Sequence, residues 1–179
     1  GNPTRTALEK LIAGLENADE CACFASGCAA MDAVLKMFRP GDQIIASNDL
    51  YGGTYRLFTK VFAPYGIDFT FVDMTDIENV KEAATDNAKL LWIETPTNPL
   101  LRVVDIESLT SFAQDEDILS LVDNTFASPY LQQPLDLGAD MVLHSTTKYL
   151  GGHSDVIGGA VATSNDTVME QLRFQVKTT

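Results

Sequence analysis

The chain has 179 residues, 45% of them hydrophobic, and its 12 Lys and Arg against 25 Asp and Glu leave a formal net charge of -13 at pH 7. This charge repels nucleic acid and anionic membranes, so we expect neither as a partner and favour a small-molecule ligand. The cysteines and histidines form no disulfide or metal-ligand spacing, so no metal site is predicted. No apolar run approaches the roughly 20 residues that span a bilayer. We therefore expect a soluble, cytoplasmic protein with one domain, residues 1–179.

Short apolar runs alternate with stretches of helical periodicity along the chain. The first helix is predicted over 3–16, where Asn2 and Pro3 supply an N-cap and a first turn. Further helices are predicted over 27–38, 53–64, 76–85, 106–115 and 165–177, and strands over 21–25, 43–47, 67–72, 89–94, 118–123, 140–144 and 158–163. Strands that alternate with helices need crossover connections. The pattern therefore predicts an α/β fold, with a mainly parallel seven-stranded sheet and helices on both faces.

The residues that follow each strand are the candidates for a binding site, because ligands of such sheets bind at the carboxyl ends of the strands. The strand over 140–144 leads into Ser145, Thr147 and Lys148. A lysine amine that is desolvated at such a position loses its proton and becomes a nucleophile toward a carbonyl group. A surface lysine that opens a loop is the alternative. The neighbouring hydroxyl groups are candidate phosphate ligands.

Four other strand ends carry polar or special residues, each with two interpretations. Asp123 ends an apolar strand, so its buried carboxylate either braces a loop or faces a protonated ring nitrogen. Ser26 and Gly27 precede a helix and form either a phosphate site or an ordinary N-cap. Tyr51, among glycines, either stacks on a flat ligand or belongs to a turn. Asn98 lies between two prolines, which either hold its amide rigidly at the site or reflect only the preference of turns for Asn-Pro.

Together these groups predict a site for a phosphorylated aromatic aldehyde. The lysine would bond the aldehyde, the acid would face the ring nitrogen, and the hydroxyls and amides would hold the phosphate. Pyridoxal 5'-phosphate is the cofactor with these features. Two other classes stay open: an α/β domain that binds a nucleotide or phosphate without pyridoxal chemistry, and a catalytically inactive interaction domain. Neither G-x-G-x-x-G after the first strand nor G-x-x-x-x-G-K-S/T occurs in the sequence.

A series of segments, in order along the whole chain, resembles the Cys/Met-metabolism pyridoxal-phosphate enzymes, a family that includes cystathionine γ-synthases and γ-lyases. The segments are Gly-Asn-Pro-Thr-Arg at 1–5, Ala-Ser-Gly-Cys-Ala-Ala at 25–30, Leu-Tyr-Gly-Gly-Thr at 50–54, Glu-Thr-Pro-Thr-Asn-Pro at 94–99, Val-Asp-Asn-Thr-Phe at 122–126, Gly-Ala-Asp at 138–140, His-Ser-Thr-Thr-Lys-Tyr at 144–149 and Gly-His-Ser-Asp at 152–155. The resemblance implies the large domain of an aspartate-aminotransferase-like fold (fold type I), without the N-terminal arm and C-terminal domain of complete members.

The resemblance also implies roles for individual residues. Lys148 would carry the cofactor and move substrate protons, Asp123 would keep the pyridine nitrogen protonated, and Tyr51 would stack on the ring and assist proton transfer. These three are the implied catalytic residues. The implied cofactor-binding residues are Gly27, Cys28, Tyr51, Asn98, Asp123, Ser145, Thr147 and Lys148.

Within the family, the segments at 55–58 and 99–105 most resemble cystathionine γ-synthases, and Gly53 stands where methionine γ-lyases typically carry cysteine. The expected activity is a γ-replacement on an activated homoserine with cysteine that gives cystathionine, a step of trans-sulfuration in methionine biosynthesis. The segment at 92–99 resembles γ-lyases equally well, so a cystathionine γ-lyase or a related sulfur amino acid lyase stays open. The resemblance further implies amino-acid substrates and a homotetramer, a dimer of dimers with shared active sites.

Overall fold

Strands and helices alternate along residues 2–178, the part of the chain that the computed structural model describes. The strands are Glu20–Phe24 (β1), Gln43–Ser47 (β2), Asp68–Val72 (β3), Ala88–Glu94 (β4), Leu119–Asp123 (β5), Met141–His144 (β6) and Gly159–Thr163 (β7). The α-helices are Pro3–Leu15 (α1), Gly27–Leu35 (α2), Gly52–Arg56 (α3), Ile77–Ala83 (α4), Ile106–Asp115 (α5), Ser128–Leu131 (α6) and Asp166–Thr178 (α7). Gly1 and Thr179, which the predicted domain 1–179 includes, lie outside the described residues.

The strands form one seven-stranded sheet in the order β1-β7-β6-β5-β4-β2-β3. β7 is antiparallel to both of its neighbours, β1 and β6, and every other neighbouring pair is parallel. The carboxyl ends of all strands except β7 therefore lie along one edge of the sheet. The predicted mainly parallel sheet is confirmed, and each strand begins and ends within one residue of its predicted bounds.

Two apolar layers cover the faces of the sheet, because the central strands are apolar at consecutive positions and bury both faces. In β4, Leu90 and Trp92 pack into one layer, together with residues of α2 and α7. Leu91 and Ile93 pack into the other layer, together with residues of α4 and α5. The predicted helices on both faces are thus present. Among the described residues, no helix is long and apolar enough to cross a membrane.

The predicted helix over 53–64 is wrong as a single helix. α3 continues into a π-helical segment, Leu57–Phe62, and then into a 3-10 turn, Ala63–Tyr65. A period of 3.6 residues does not distinguish these forms over so short a stretch, because all of them place apolar residues on one face. Phe58 is fully buried in the π-helical segment, where its ring stacks on Phe69 at a centroid distance of 4.5 Å and meets Trp92 edge-on at 5.0 Å.

Three smaller differences concern helix ends and short helices. α2 ends at Leu35 rather than at residue 38. α6 and the 3-10 turn Pro134–Leu137 were not predicted. Each of these two elements is four residues long, so neither is long enough to repeat the helical period of apolar residues.

We expect Phe58→Ala to lower the free energy of unfolding by about 3–5 kcal/mol, because it leaves a cavity among three aromatic rings. Tyr65→Ala is the matched control at the end of the same helical stretch. Tyr65 is 72% exposed, so its loss should change the free energy of unfolding by about 0.5 kcal/mol or less. Urea denaturation of both variants measures the difference. Equal losses would contradict the central position of Phe58 in the core.

Candidate active site

A cavity of about 370 Å³ opens at the carboxyl edge of the sheet. Its walls come from the segments that follow β1, β2, β4, β5 and β6, which the parallel topology brings to the same edge. The structure places all eight of the proposed cofactor-binding residues around this cavity: Gly27, Cys28, Tyr51, Asn98, Asp123, Ser145, Thr147 and Lys148. It adds Met31, Glu94, Pro96, Thr125, Phe126 and Ile157, which the sequence analysis did not single out.

The N-terminus of α2 forms one end of the cavity. Ser26 is the N-cap, and its hydroxyl oxygen accepts a hydrogen bond from the Ala29 amide at 3.0 Å. The first amides of an α-helix have no acceptor within the helix, so those of Gly27 and Cys28 are available to an anion. Gly27 also packs closely on Ser145, where a Cβ atom at position 27 would lie 2.9 Å from the Ser145 Cβ. Both interpretations of Ser26 and Gly27, the N-cap and the anion site, are therefore compatible with the geometry.

Asp123 ends β5 and is only 6% exposed. Its Oδ1 atom accepts hydrogen bonds from the Thr125 amide at 3.1 Å and from the Thr125 hydroxyl at 2.5 Å. Within residues 2–178, no hydrogen bond reaches its other oxygen, Oδ2. Burial raises the pKa of Asp123, because a charged carboxylate in this position lacks solvation. One oxygen thus braces the loop, while the other is unpaired in a residue that lines the cavity and needs a cation or a donor.

Lys148 lies in the loop between β6 and β7. Thr147 holds this loop in place, since its hydroxyl donates to the Gly158 carbonyl at 3.2 Å and accepts from the Gly158 amide at 3.1 Å. The Lys148 side chain borders the cavity but is exposed. Packing within the described residues therefore does not desolvate the amine. A nucleophilic lysine depends on burial, and the described residues alone do not provide it. Lys148 also borders an adjoining cavity of about 580 Å³, which includes Tyr149 and Asp155.

The ring of Tyr51 lies directly over Gly53. A Cβ atom at position 53 would lie 2.2 Å from the Tyr51 Cε1 atom, so any side chain there would displace the ring. Tyr51 is the N-cap of α3 and remains 43% exposed at the cavity. Gly52, its other glycine neighbour, faces open space. The position of the Tyr51 ring therefore depends on Gly53 and not on Gly52.

Glu94 is a site residue that the sequence analysis missed as an individual group. It ends β4, lies opposite Asp123 in the parallel register, and is 5% exposed. Its carboxylate accepts hydrogen bonds from the main-chain amides of Tyr51 and Asn98. Burial, followed by the charge of Asp123, raises the pKa of Glu94 to about 8. The sequence contained one signal for it, since Glu94 ends its strand as Asp123 ends the next.

A buried polar cluster lies next to the cavity residues at the ends of β5 and β6. His144 Nε2 lies 2.5 Å from Glu16 Oε1, and the Asn124 side-chain amide donates to the same oxygen at 2.8 Å. Gln132 extends the cluster, because its side chain donates to Asn124 Oδ1 at 2.8 Å and to the Thr95 carbonyl at 2.9 Å. These contacts attach the end of α1 to the segments that form the site. The sequence analysis did not predict them.

Comparisons with known proteins identify the family. The model of the Cys/Met metabolism PLP-dependent enzymes matches residues 1–179. The chain is 54% identical over 173 residues to a probable cystathionine γ-synthase from Herpetosiphon aurantiacus, a match that covers 97% of this chain and 54% of that one. It is 52% identical over 173 residues to a cystathionine γ-lyase from Bacillus subtilis (strain 168), with 97% and 46% covered. The crystal structure of a cystathionine γ-lyase from Lactobacillus plantarum complexed with L-serine matches with a TM-score of 0.96 and 52% identity, and covers 98% of this chain and 46% of that one.

The chain therefore belongs to the Cys/Met metabolism PLP-dependent enzyme family. The family resemblance and the α/β fold that it implied are confirmed. Pyridoxal phosphate is the cofactor of this family, which argues against an α/β domain without pyridoxal chemistry. The chain spans about half the length of the curated relatives that it matches.

We expect the free energy of unfolding of the cofactor-free protein to fall as the pH rises from about 5 to about 8. In this interval Glu94 keeps its proton in the folded protein but not in the unfolded chain. The unfolded chain releases this proton near the ordinary glutamate pKa of 4.5, whereas the pKa of the folded residue is about 8. Folding thus becomes less favourable from about pH 5 to about pH 8, by at most about 1.4 kcal/mol per pH unit for this one group.

Glu94→Gln should remove this part of the pH dependence, as measured by urea unfolding at several pH values. Glu82→Gln, at an exposed position of α4, is the control and should keep the slope of the parent protein. If Glu94→Gln keeps the slope as well, Glu94 does not hold a proton in the folded state.

Proposed function

We propose that this chain forms the cofactor-binding part of a pyridoxal-phosphate-dependent enzyme that replaces the γ-substituent of an activated homoserine by the sulfur of cysteine and so gives cystathionine. The observation that carries the cofactor assignment is the meeting of three groups at one cavity: Lys148, the half-paired carboxylate of Asp123 and the N-terminus of α2. A buried acid with one unpaired oxygen, in the same cavity as the free amides of a helix N-terminus, fits a ligand with a protonated heterocycle and a phosphate.

In this proposal each cavity residue holds one part of the cofactor. The Lys148 amine would bond the aldehyde, Asp123 Oδ2 would pair with the ring nitrogen, and the Tyr51 ring would stack on the cofactor. The amides of Gly27 and Cys28 and the hydroxyls of Ser145 and Thr147 would hold the phosphate, and the Thr147 hydroxyl would turn its proton from the Gly158 carbonyl to the phosphate. Asn98 would bind the ring hydroxyl and the substrate carboxylate. When bound, pyridoxal phosphate supplies an electron sink that lowers the barrier to removal of the substrate α-proton.

The chain's own residues would then move protons and maintain charge. Lys148 Nζ, freed when the substrate amine replaces it, would take the α-proton, pass it on and then take a β-proton, so that the γ-substituent leaves with its bonding electron pair. The thiol of cysteine would add to the γ-carbon and lose its proton as the new carbon–sulfur bond forms, and Lys148 would return protons to the β- and α-carbons. Asp123 stays ionised throughout, because the cation that it faces offsets the desolvation that otherwise raises its pKa.

A cystathionine γ-lyase is the second candidate, since the Bacillus subtilis relative of that name is nearly as similar as the probable synthase. Similar proton transfers, with one water molecule consumed, would split cystathionine into cysteine, ammonia and a keto acid. Product analysis of the full-length protein with each substrate separates the two reactions. Cystathionine formed from an activated homoserine and cysteine supports the synthase, and efficient cleavage of cystathionine without that synthesis supports the lyase.

We also propose that the full-length protein is cytoplasmic and acts on amino-acid substrates. We propose that it is a homotetramer, a dimer of dimers in which neighbouring subunits share active sites. The exposure of Lys148 supports the part of this proposal that concerns shared active sites. A catalytic amine that bonds an aldehyde works better when water is excluded, and the described residues leave it open. A neighbouring subunit would complete the wall.

We expect Lys148→Ala to abolish turnover, because it removes both the bond to the cofactor and the base, while pyridoxal phosphate still binds through the other contacts. Asp123→Asn keeps the shape of the side chain but removes its charge, so turnover should fall by about 10²–10⁴-fold. Steady-state kinetics and a cofactor-binding titration measure both effects. An active Lys148→Ala variant would refute the assignment of the base.

Gly53→Ala should weaken pyridoxal phosphate binding by about three- to tenfold, because the displaced Tyr51 ring loses a stacking interaction of about 1 kcal/mol. Gly52→Ala is the matched control, since its methyl group meets open space. Titration of the cofactor-free protein with pyridoxal phosphate, followed by visible absorbance, compares the two. Equal affinities would show that Tyr51 does not stack on the cofactor from the position described above.

A further inference from the structure

Two loops with candidate cofactor contacts are connected by one carboxylate. Tyr51 lies in the loop after β2, and Asn98 lies in the loop after β4. Glu94 Oε1 accepts hydrogen bonds from the Asn98 amide at 3.0 Å and from the Tyr51 amide at 3.1 Å, and Oε2 accepts from the Tyr51 amide at 3.0 Å. The main-chain amides of Tyr51 and Asn98, one in each loop, therefore share a single acceptor side chain.

The hydrogen bonds of Glu94 are unusual for a residue that is 5% exposed. Among the described residues it forms no ion pair, and the hydrogen bonds that it accepts come from main-chain amides. A buried glutamate without a cationic partner loses solvation that no ion pair restores, because the burial of an unpaired charge is unfavourable. Its oxygens instead satisfy two amides that would otherwise be unpaired in the wall of the cavity.

Two acidic residues, Asp123 and Asp49, place negative charge near Glu94. The titratable groups of the neighbouring elements are Asp123 at the end of β5, Asp49 and Tyr51 after β2, Lys148 after β6 and Cys28 in α2. Burial and the charge of Asp123 raise the pKa of Glu94 to about 8, and the two amides act in the opposite direction. A cation that pairs with Asp123 would offset that negative charge and so favour the ionised form of Glu94.

Ionisation changes what Glu94 does for the loops. A carboxylate accepts hydrogen bonds at both oxygens, whereas a protonated acid has one oxygen that is a donor. Hydrogen bonds to an ionised acceptor are also stronger than those to a neutral one. The ionised form therefore holds the Tyr51 and Asn98 amides more firmly than the protonated form does.

We propose that Glu94 is a positioning residue that fixes Tyr51 and Asn98 at the cavity and that releases its proton when a cationic ring nitrogen binds at Asp123. Cofactor binding and the ordering of the two loops are thereby linked through one proton. The inference rests on the proposed function, because it takes pyridoxal phosphate as the ligand of the cavity.

The chain offers a matched control in Asp49. Its Oδ2 atom accepts hydrogen bonds from the Leu100 amide at 3.2 Å and from the Thr97 hydroxyl, so it joins the same two loops. Asp49 does not line the cavity. Asp49→Asn therefore tests loop attachment without the link to the cofactor.

The test uses the full-length protein with Lys148→Ala, in which pyridoxal phosphate binds only through noncovalent contacts. Its dissociation constant is measured by titration from about two pH units below to about one unit above the Glu94 value of 8, with and without Glu94→Gln. Gln resembles protonated Glu in shape and charge. We expect similar affinities at the acidic end and an advantage for Glu94 that grows to about tenfold near pH 8 and then levels off. Asp49→Asn should keep the shape of this pH profile and move it only slightly to lower pH, because the charge of Asp49 is the smallest of the influences that raise the pKa of Glu94.

Calorimetry in two buffers with different ionisation enthalpies counts the protons released on binding. We expect more proton release from the Lys148→Ala parent than from the variant that also carries Glu94→Gln. An affinity ratio that is constant with pH, with equal proton release, would overturn the role of Glu94 while leaving the proposed function intact. A parent protein that does not bind pyridoxal phosphate at any pH would overturn both.

Discussion

The parallel register of β4 and β5 places two acidic residues, Glu94 and Asp123, side by side at the carboxyl edge of the sheet and buries both. Two adjacent buried carboxylates cannot both be charged without compensation. The fold compensates them differently. Glu94 receives two main-chain amides, whereas Asp123 receives the Thr125 donors at one oxygen only. One oxygen of Asp123 is therefore left for a cation or a hydrogen-bond donor that binds in the cavity.

The N-terminus of α2 favours an anion at another position of the same cavity, because its free amides and the helix dipole carry partial positive charge. A ligand with a phosphate and a protonated heterocycle satisfies both ends at once. Pyridoxal phosphate, the cofactor of the Cys/Met metabolism PLP-dependent family, is such a ligand, and Lys148 provides the amine that its aldehyde requires. The polar cluster of Glu16, His144 and Asn124 attaches α1 to the strand ends that carry these groups.

The sequence was sufficient for the sheet and for the eight proposed cofactor-binding residues that line the cavity. Strands buried on both faces produce continuous apolar runs, and the polar residues that end them converge because the strands are parallel. Contacts to the main chain leave no such pattern, so the role of Glu94 toward the Tyr51 and Asn98 amides could not be anticipated. The π-helical form of Leu57–Phe62 also depends on tertiary packing, and the exposure of Lys148 depends on which surfaces surround the loop.

The central claim is that Lys148 is the amine that bonds pyridoxal phosphate in this cavity. Reduction of the cofactor-loaded full-length protein with sodium borohydride fixes the cofactor on the lysine that it bonds, and peptide mass spectrometry locates the adduct. The account predicts a pyridoxyl-phosphate adduct on the peptide that contains Lys148. An unmodified Lys148 peptide, or an adduct on a different lysine, would contradict it.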